Sequence, residues 1–443
     1  MAIIPQKRLF GWEEIDELGD LERLRLVLEY LPDERLMEVL EKDRGKGRDD
    51  YPVRAVWNSI LAGIVFQHDS VESLRRELKR NAQLRQLCGF DPLKGQKAVP
   101  PPCVYTRFLK GLFRRQSFID DIFNQLVDEL RKILPDFGQS LSIDSKAMAS
   151  HSRGRKRKEE PKTEDGRCES DADLGVKTYK GWRKDGSIWE RVKSWFGFKL
   201  HLMVDADYEL PVGYEVTKAS VADITGGKAL LADVERRHPE LIDEAGELIG
   251  DKGYDDEKLI TKLWDEKNIK PVIDIRYMWK DGEETKLVEG QTNVVYDFQG
   301  TVYCHCPLTD ERREMAFGGF EKDRRTLKYR CPAWHYGLEC LGRGQCSVSQ
   351  AVRIPLSEDR RVFTPLARSS YAWTREYKKR TSVERVNSRL DVSFGFERHF
   401  IRGLKKMRLR VGLALCVMLA MALGRAKENQ SEKIRSLVWS AAA

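Results

Sequence analysis

Apolar residues recur every three or four positions through the first 135 residues, and beyond that point the period shortens to two. Leu21, Leu24, Leu26, Val27 and Leu31 stand among charged residues in an acidic opening stretch. Helical periodicity continues through 51–135 with basic positions at Arg75, Arg76, Lys79, Arg80 and Arg85. Pro100-Pro101-Pro102 interrupts it, and it resumes over 104–113 and 118–133. The pattern predicts a helical N-terminal domain over 1–135, with a plain scaffold as its blandest role.

Alternating segments follow. A short apolar run ends in Leu141-Ser142-Ile143-Asp144, and 195–205 and 210–218 alternate as antiparallel strands would. Residues 248–251 and 270–275 read as two more strands. Helices are expected at 224–237, with Asp223 as N-cap, and at 257–267. The order is strand, strand, strand, helix, strand, helix, strand, with a further helix near 377–391, and it predicts a mixed α/β sheet flanked by helices. Residues 151–193 are poor in apolar residues and include five basic residues in six at 153–158, which predicts a mobile charged insertion. This insertion divides the first part of the α/β core, 136–275, and the last part spans 371–443 with C-terminal helices.

Charge sharpens this outline. The chain has 443 residues, 33% of them charged, with a net charge of +8. Between residues 376 and 410, eleven Lys/Arg stand against four Asp/Glu, a local net of +7. Such a segment attracts phosphates and releases counterions. A solvated helix face is the blander reading.

Three acids occupy informative settings. Asp144 closes an apolar strand, Asp251 closes Glu247-Leu248-Ile249-Gly250 ahead of Lys252-Gly253-Tyr254, and Glu384 lies in a helical pattern. Tyr377, Arg380, Glu384, Asn387 and Asp391 are spaced 3, 4, 3 and 4, so they share one helical face. Val383, Val386 and Leu390 form an adjoining apolar stripe that would dock the helix on the sheet. Carboxylates gathered at a sheet edge are what hard cations need in phosphodiester chemistry. Asp205 and Asp207 read as turn acids rather than ligands.

Together these segments resemble the bacterial insertion-sequence transposases of the DDE class. The run Ser142–Lys146 is similar to the family's first-Asp strand, and Gly250-Asp251-Lys252-Gly253-Tyr254 to its second-Asp motif. Tyr377, Arg380 and Glu384 match the Y-x2-R-x3-E-x6-K signature, whose closing lysine is replaced by Asp391. Lys405, Lys406 or Arg389 stand as substitutes for it. The resemblance spans most of residues 50–425, with 51–90 similar to the helical domain preceding the core, and it implies DNA-end binding, dimerisation or both for the helical domain over 1–135. It implies a ribonuclease-H-like core and catalytic acids Asp144, Asp251 and Glu384 holding two Mg²⁺, with Mn²⁺ as a substitute. It also implies DNA contacts from Tyr377, Arg380, Arg385, Asn387, Lys405 and Lys406. The expected activity is cleavage of transposon ends and joining to target DNA, with double-stranded inverted-repeat ends and target as partners and a homodimer or larger assembly. A non-catalytic DNA-binding regulator and a nuclease without strand transfer remain as alternatives.

An insertion over 276–370 separates the second acid from the third. It shows strand-like alternation at 292–298 and 300–304, and it holds Cys304, Cys306, Cys331, Cys340 and Cys346, five of nine cysteines in the chain. In a reducing compartment such density favours metal over disulfides, yet the spacings are irregular, so structural zinc and free thiols both stand. Its aromatics, Trp279, Tyr303, Tyr329, Trp334 and Tyr336, read as packing or as base-stacking platforms.

Other classes are disfavoured. No Gly-x4-Gly-Lys-Ser/Thr loop is present. The apolar start is too short for a signal peptide, and the 13 apolar residues at 411–423 fall below the ~17–25 needed to span a bilayer. They predict a buried helix, no membrane contact and a cytoplasmic protein, and the resemblance implies a bacterial, nucleoid-associated one.

Overall fold

The computed structural model describes residues 18–45, 50–152, 169–183, 185, 187–309 and 311–436. The basic run at 153–158 lies outside these residues. Seven helices come first: α1 (Glu22–Tyr30), α2 (Glu34–Arg44), α3 (Val53–Val65), α4 (Val71–Arg80), α5 (Ala82–Cys88), α6 (Pro102–Phe113) and α7 (Gln116–Ile133). Local chemistry sets several of their ends. Ser70 Oγ accepts the Ser73 N–H at the start of α4, Asn81 Oδ1 accepts the Leu84 N–H at the start of α5, and Pro102 opens α6.

The central sheet contains β1 (Ser140–Ala149), β2 (Asp173–Trp182), β3 (Ile188–Asp205), β4 (Leu210–Lys218), β5 (Glu247–Gly250) and β6 (Lys270–Ile273). Strand β1 lies between β3, antiparallel, and β5, parallel; β6 continues parallel to β5, and β4 pairs with the second half of β3. The core order β4-β3-β1-β5-β6, with the first three strands antiparallel and the last two parallel, is ribonuclease-H-like. Helices α8 (Asp223–Arg237), α9 (Pro239–Glu244) and α10 (Glu257–Thr261) provide the crossovers.

Two expectations change. Residues 173–193 are not a loose charged loop: β2 and the first half of β3 pair over ten positions, from Asp173↔Gly197 to Trp182↔Ile188. Alternation in this ribbon is hidden because both faces are largely solvated, so it carries no apolar-in, polar-out signature. Asp223 does not cap α8. It lies in the first turn, with Ala222 as N-cap, and its carboxylate turns toward the sheet.

The insertion follows β6. Strands β7 (Thr285–Leu287), β8 (Val294–Asp297), β9 (Val302–His305) and β10 (Arg312–Glu314) form one sheet, and β11 (Ala316–Glu321), β12 (Thr326–Arg330) and β13 (Ala351–Pro355) another, with the short helix α11 (Pro332–Tyr336) between β12 and β13. They share a core of their own around Val294, Val302, Leu327, Tyr329, Ile354 and Phe363. The chain then returns through α12 (Tyr371–Tyr377), a 3₁₀ turn at Lys378–Arg380, α13 (Thr381–Phe394) and α14 (Leu404–Lys427).

Helix α14 answers the apolar run near residue 411. Its apolar window has mean hydropathy 1.7 and is 89% buried inside the protein. At ~1.5 Å per residue it runs ~36 Å, packing against α1, α3, α7 and β4. One continuous core therefore joins the N-terminal helices, this helix and the sheet.

Helix α8 approaches the sheet through paired glycines. A methyl at Gly226 would lie 2.2 Å from the buried His201 ring, and one at Gly227 2.5 Å from the Tyr254 ring. Gly226→Ala is expected to lower the thermal unfolding midpoint, because overpacking of about 1–3 kcal/mol exceeds the roughly 1 kcal/mol gained in helix propensity. Calorimetry of the purified variant checks this; an unchanged or higher midpoint would contradict the packing.

Candidate active site

Strand register brings the first two acids together. Ile143 of β1 is level with Gly250 of β5, so the next residues, Asp144 and Asp251, lie side by side on parallel neighbours, ~4.8 Å apart in strand spacing. Asp144 Oδ1 accepts the Ser145 N–H at 2.7 Å, and Asp251 Oδ1 accepts the Gly253 N–H at 2.7 Å, opening the turn that follows. Burial, and then the charge of Asp251, push the Asp144 carboxyl up to about 6, against the pull of the Ser145 N–H, Lys177 and Arg380.

The third acid is held apart. Glu384 lies in the first turn of α13, and its carboxylate pairs with Arg380 Nη1 at 2.8 Å. Helix α13 packs on β1 and β3 through Val383, Val386 and Leu390, all fully buried. Arg380 also lies 5.8 Å over the Tyr377 ring, which stacks on Trp373 at 4.5 Å and 12°. That aromatic pair rests on Ala206, Ile249 and Val272, at the back of the strands that carry Asp251. Burial pushes the Tyr377 phenol up to about 12. Among the described residues, no group of three or more His, Cys, Asp or Glu side chains is arranged to hold an ion.

Other residues proposed from sequence divide by helix face. Asn387 follows Glu384 on the cleft side, with its Oδ1 buried and without a protein partner. Asp391, at the position of the missing signature lysine, pairs with Lys146, two residues beyond Asp144. The cation there comes from the strand and not the helix. Arg385 and Arg389 point the other way, to Glu209 in the β3–β4 turn; Arg385 Nε reaches its Oε1 at 2.7 Å, and Arg389 Nη1 its carbonyl at 2.9 Å. Lys405 and Lys406 are exposed in the first turn of α14, and Lys406 lines a different cavity, with His68 and Phe400.

Sequence reasoning missed a second layer. Asp223 Oδ1 accepts from Ser145 Oγ at 2.7 Å and from Lys199 Nζ at 2.8 Å, while Lys177 Nζ stands 3.8 Å from Oδ2. Burial works to raise the Asp223 pKa, but the hydrogen bonds from Lys199 and Ser145 outweigh it and hold the group below the usual range. The signal available was an acid at the head of the helix that follows β4. Tyr254 is fully buried, and its hydroxyl has no protein partner; burial, then Asp144, Asp223 and Asp251, drive its pKa well up.

In the insertion, Cys304, Cys306, Cys331, Cys340 and Cys346 line one cavity of about 30 Å³. Asn293 Nδ2 donates to Cys346 Sγ at 3.2 Å. Burial pushes the Cys304 thiol up to about 11, whereas the Thr309 hydroxyl and backbone N–H groups lower Cys306 to about 7. Of the aromatics there, Tyr329 is core, Trp279 packs edge-on against Tyr296, Tyr303 lies beneath Arg312, and Trp334 and Tyr336 are exposed.

Residues 137–420 match the family described as Transposase DDE domain, and the chain belongs to that family. It is a transposase, an enzyme that cuts and joins DNA. No curated protein matches the chain. Among solved structures it is similar to a cryo-EM structure of a piggyBac transposase synaptic complex with hairpin DNA, at 11% identity and a TM-score of 0.39, covering 95% of this chain and 80% of that one.

Neutralising one acid of the pair should relax the other. Asp251→Asn is expected to bring the Asp144 pKa down from about 6 toward the ordinary carboxylate range. Carbon-detected NMR titration of Asp144 in metal-free protein measures this, and an unmoved pKa would show that the two carboxylates do not interact.

Proposed function

We propose that this transposase cleaves the ends of its own element and joins them to target DNA by metal-dependent hydrolysis and strand transfer, using Asp144, Asp251 and Glu384. The observation that carries the reading is the Asp144–Asp251 pair: two carboxylates forced together on adjacent strands, one with its pKa at about 6. That donor set fits hard divalent cations, which prefer oxygen ligands and relieve such repulsion. Two bound Mg²⁺ ions, or Mn²⁺, would activate the attacking oxygen and stabilise the leaving one.

The chain's own residues do the rest. Glu384 completes the donor set when Arg380 exchanges its carboxylate for a DNA phosphate, so the ion pair serves as a resting arrangement. Arg380, with Tyr377 beneath it, then holds the phosphate beside the scissile bond, and Asn387 lies one turn further along the same helix face. Water attacks the phosphodiester at the element's end and releases a 3′ hydroxyl. That hydroxyl attacks a target phosphodiester, forming one bond as another breaks, with no covalent protein–DNA intermediate. Pairing two ends calls for two copies of the chain, so a dimer or larger assembly on double-stranded DNA belongs to the reading.

The same donor reasoning extends to the insertion. We propose a structural zinc ion held by four of the five thiols that line the cavity, since zinc takes four such ligands in a tetrahedron. Elemental analysis of protein purified without added metal should find about one zinc per chain. Cys331→Ser and Cys346→Ser should each lose it and lower the unfolding midpoint. Absence of zinc from wild type, with no effect of chelator on that midpoint, overturns the assignment.

The function is tested with DNA carrying the flanking ends of the gene, in Mg²⁺. Asp144→Asn and Glu384→Gln are each expected to abolish cleavage, a loss of at least ~10³-fold if the acids organise the metal centre, while end binding persists. Cutting without joining to a target plasmid would leave a nuclease. Binding without cutting in wild type would leave a regulator. Equal loss of binding and cleavage in Asp144→Asn would make that acid structural.

A further inference from the structure

The ribbon of β2 and β3 extends beyond the body of the sheet, and one of its faces is basic. Residues directly opposite in an antiparallel pair share a face, so Lys177 with Lys193, Gly175 with Trp195 and Gly181 with Trp189 lie together. The register sets two lysines against each other, an arrangement that disfavours pairing unless an anion lies between them. Both indoles lie flat across glycines: a methyl at Gly175 would be 2.4 Å from the Trp195 ring, and one at Gly181 2.6 Å from Trp189. The Gly175–Trp195 end of this face is buried, and the Gly181–Trp189 end reaches solvent. Arg191 and Lys193 are exposed, and among the described residues neither has an ion-pair partner.

The face begins at the candidate active site. Lys177 Nζ lies 3.3 Å from both the carbonyl and the hydroxyl of Ser145, the residue after Asp144, and 3.8 Å from Asp223. From the Lys177–Lys193 pair to Arg191 is two residues, ~7 Å at ~3.4 Å per residue, or about two base-pair steps of B-form DNA. A cationic track of that length, starting at the proposed scissile position, fits one flank of a duplex.

We propose that the β2–β3 ribbon is a DNA-binding arm, on which Lys177, Arg191 and Lys193 hold successive backbone phosphates of the duplex leading away from the cleaved bond. The contacts read phosphate, not sequence, and fix the register of the DNA over the carboxylates. This rests on the reading of the protein as a DNA-cleaving transposase with its site at Asp144 and Asp251.

The test uses the full-length chain and a fluorescein-labelled duplex of the sequence flanking its own gene. Anisotropy is followed across a salt series in EDTA, so that cleavage plays no part. The double variant R191A/K193A should bind about tenfold or more weakly, with the slope of log K against log salt shallower by about 2. The charge-preserving R191K/K193R should keep the wild-type slope. An unchanged slope in R191A/K193A overturns the arm, and so does equal loss in the charge-preserving variant. If wild type binds no duplex at all, the proposed function itself falls, a result distinct from a failure confined to the ribbon.

Discussion

The parallel pairing of β1 with β5 is the constraint on which the rest of the site depends. It places Asp144 beside Asp251, at a cost that follows directly from burying two like charges on neighbouring strands. Everything packed around this junction either tolerates that repulsion or offsets it. Gly226 and Gly227 let α8 come close enough to bury His201 and Tyr254 under its first turns, which shields the junction on one side. Helix α13 covers β1 and β3 and brings in the third acid already paired with a cation.

Counter-charges around the acids are distributed across elements rather than gathered on one. Arg380 comes from the turn before α13, Lys177 from the ribbon, Lys199 from β3, and Lys146 from β1 itself. Each has an acid to hold, so the site without DNA is close to electrically satisfied apart from the Asp144–Asp251 pair. In the proposed reaction, DNA phosphate would have to compete for these cations, which would couple its entry to the freeing of carboxylates. The exchange of a signature lysine for Asp391 fits this scheme: the helix carries a negative charge there, and Lys146 on the facing strand pairs with it.

The β-rich insertion is a body with its own hydrophobic core, yet it hangs from the catalytic sheet. Arg361 and Arg276, at its two ends, bond to one another's segment and to Asp255, just after the second acid's turn. Arg368 donates to the carbonyl of Ile273 at the end of β6. The orientation of the insertion is therefore tied to the same loop that carries Asp251.

The chain's periodicity alone located the helical opening, the core strands at 195–205, 210–218, 248–251 and 270–275, and the burial of the long apolar helix. Those features are written locally: hydrophobic residues at spacing two or three-to-four have one side to hide, whatever they pack against. The settings of Asp144 on a strand, of Asp251 beside a strand end and of Glu384 on a helix were legible for a related reason, since each lies in a short local motif. What periodicity could not supply was the partner of each side chain. Arg385 and Arg389 share a helix with Glu384 but face Glu209; Asp223 reads as a cap but binds Ser145 and Lys199; and the ribbon reads as loose chain, because a strand pair solvated on both faces leaves no alternating trace. Those outcomes depend on which surfaces the fold brings into contact, across 24 residues for Lys199 with Asp223 and 176 for Arg385 with Glu209, a matter of packing that hydrophobic spacing does not encode.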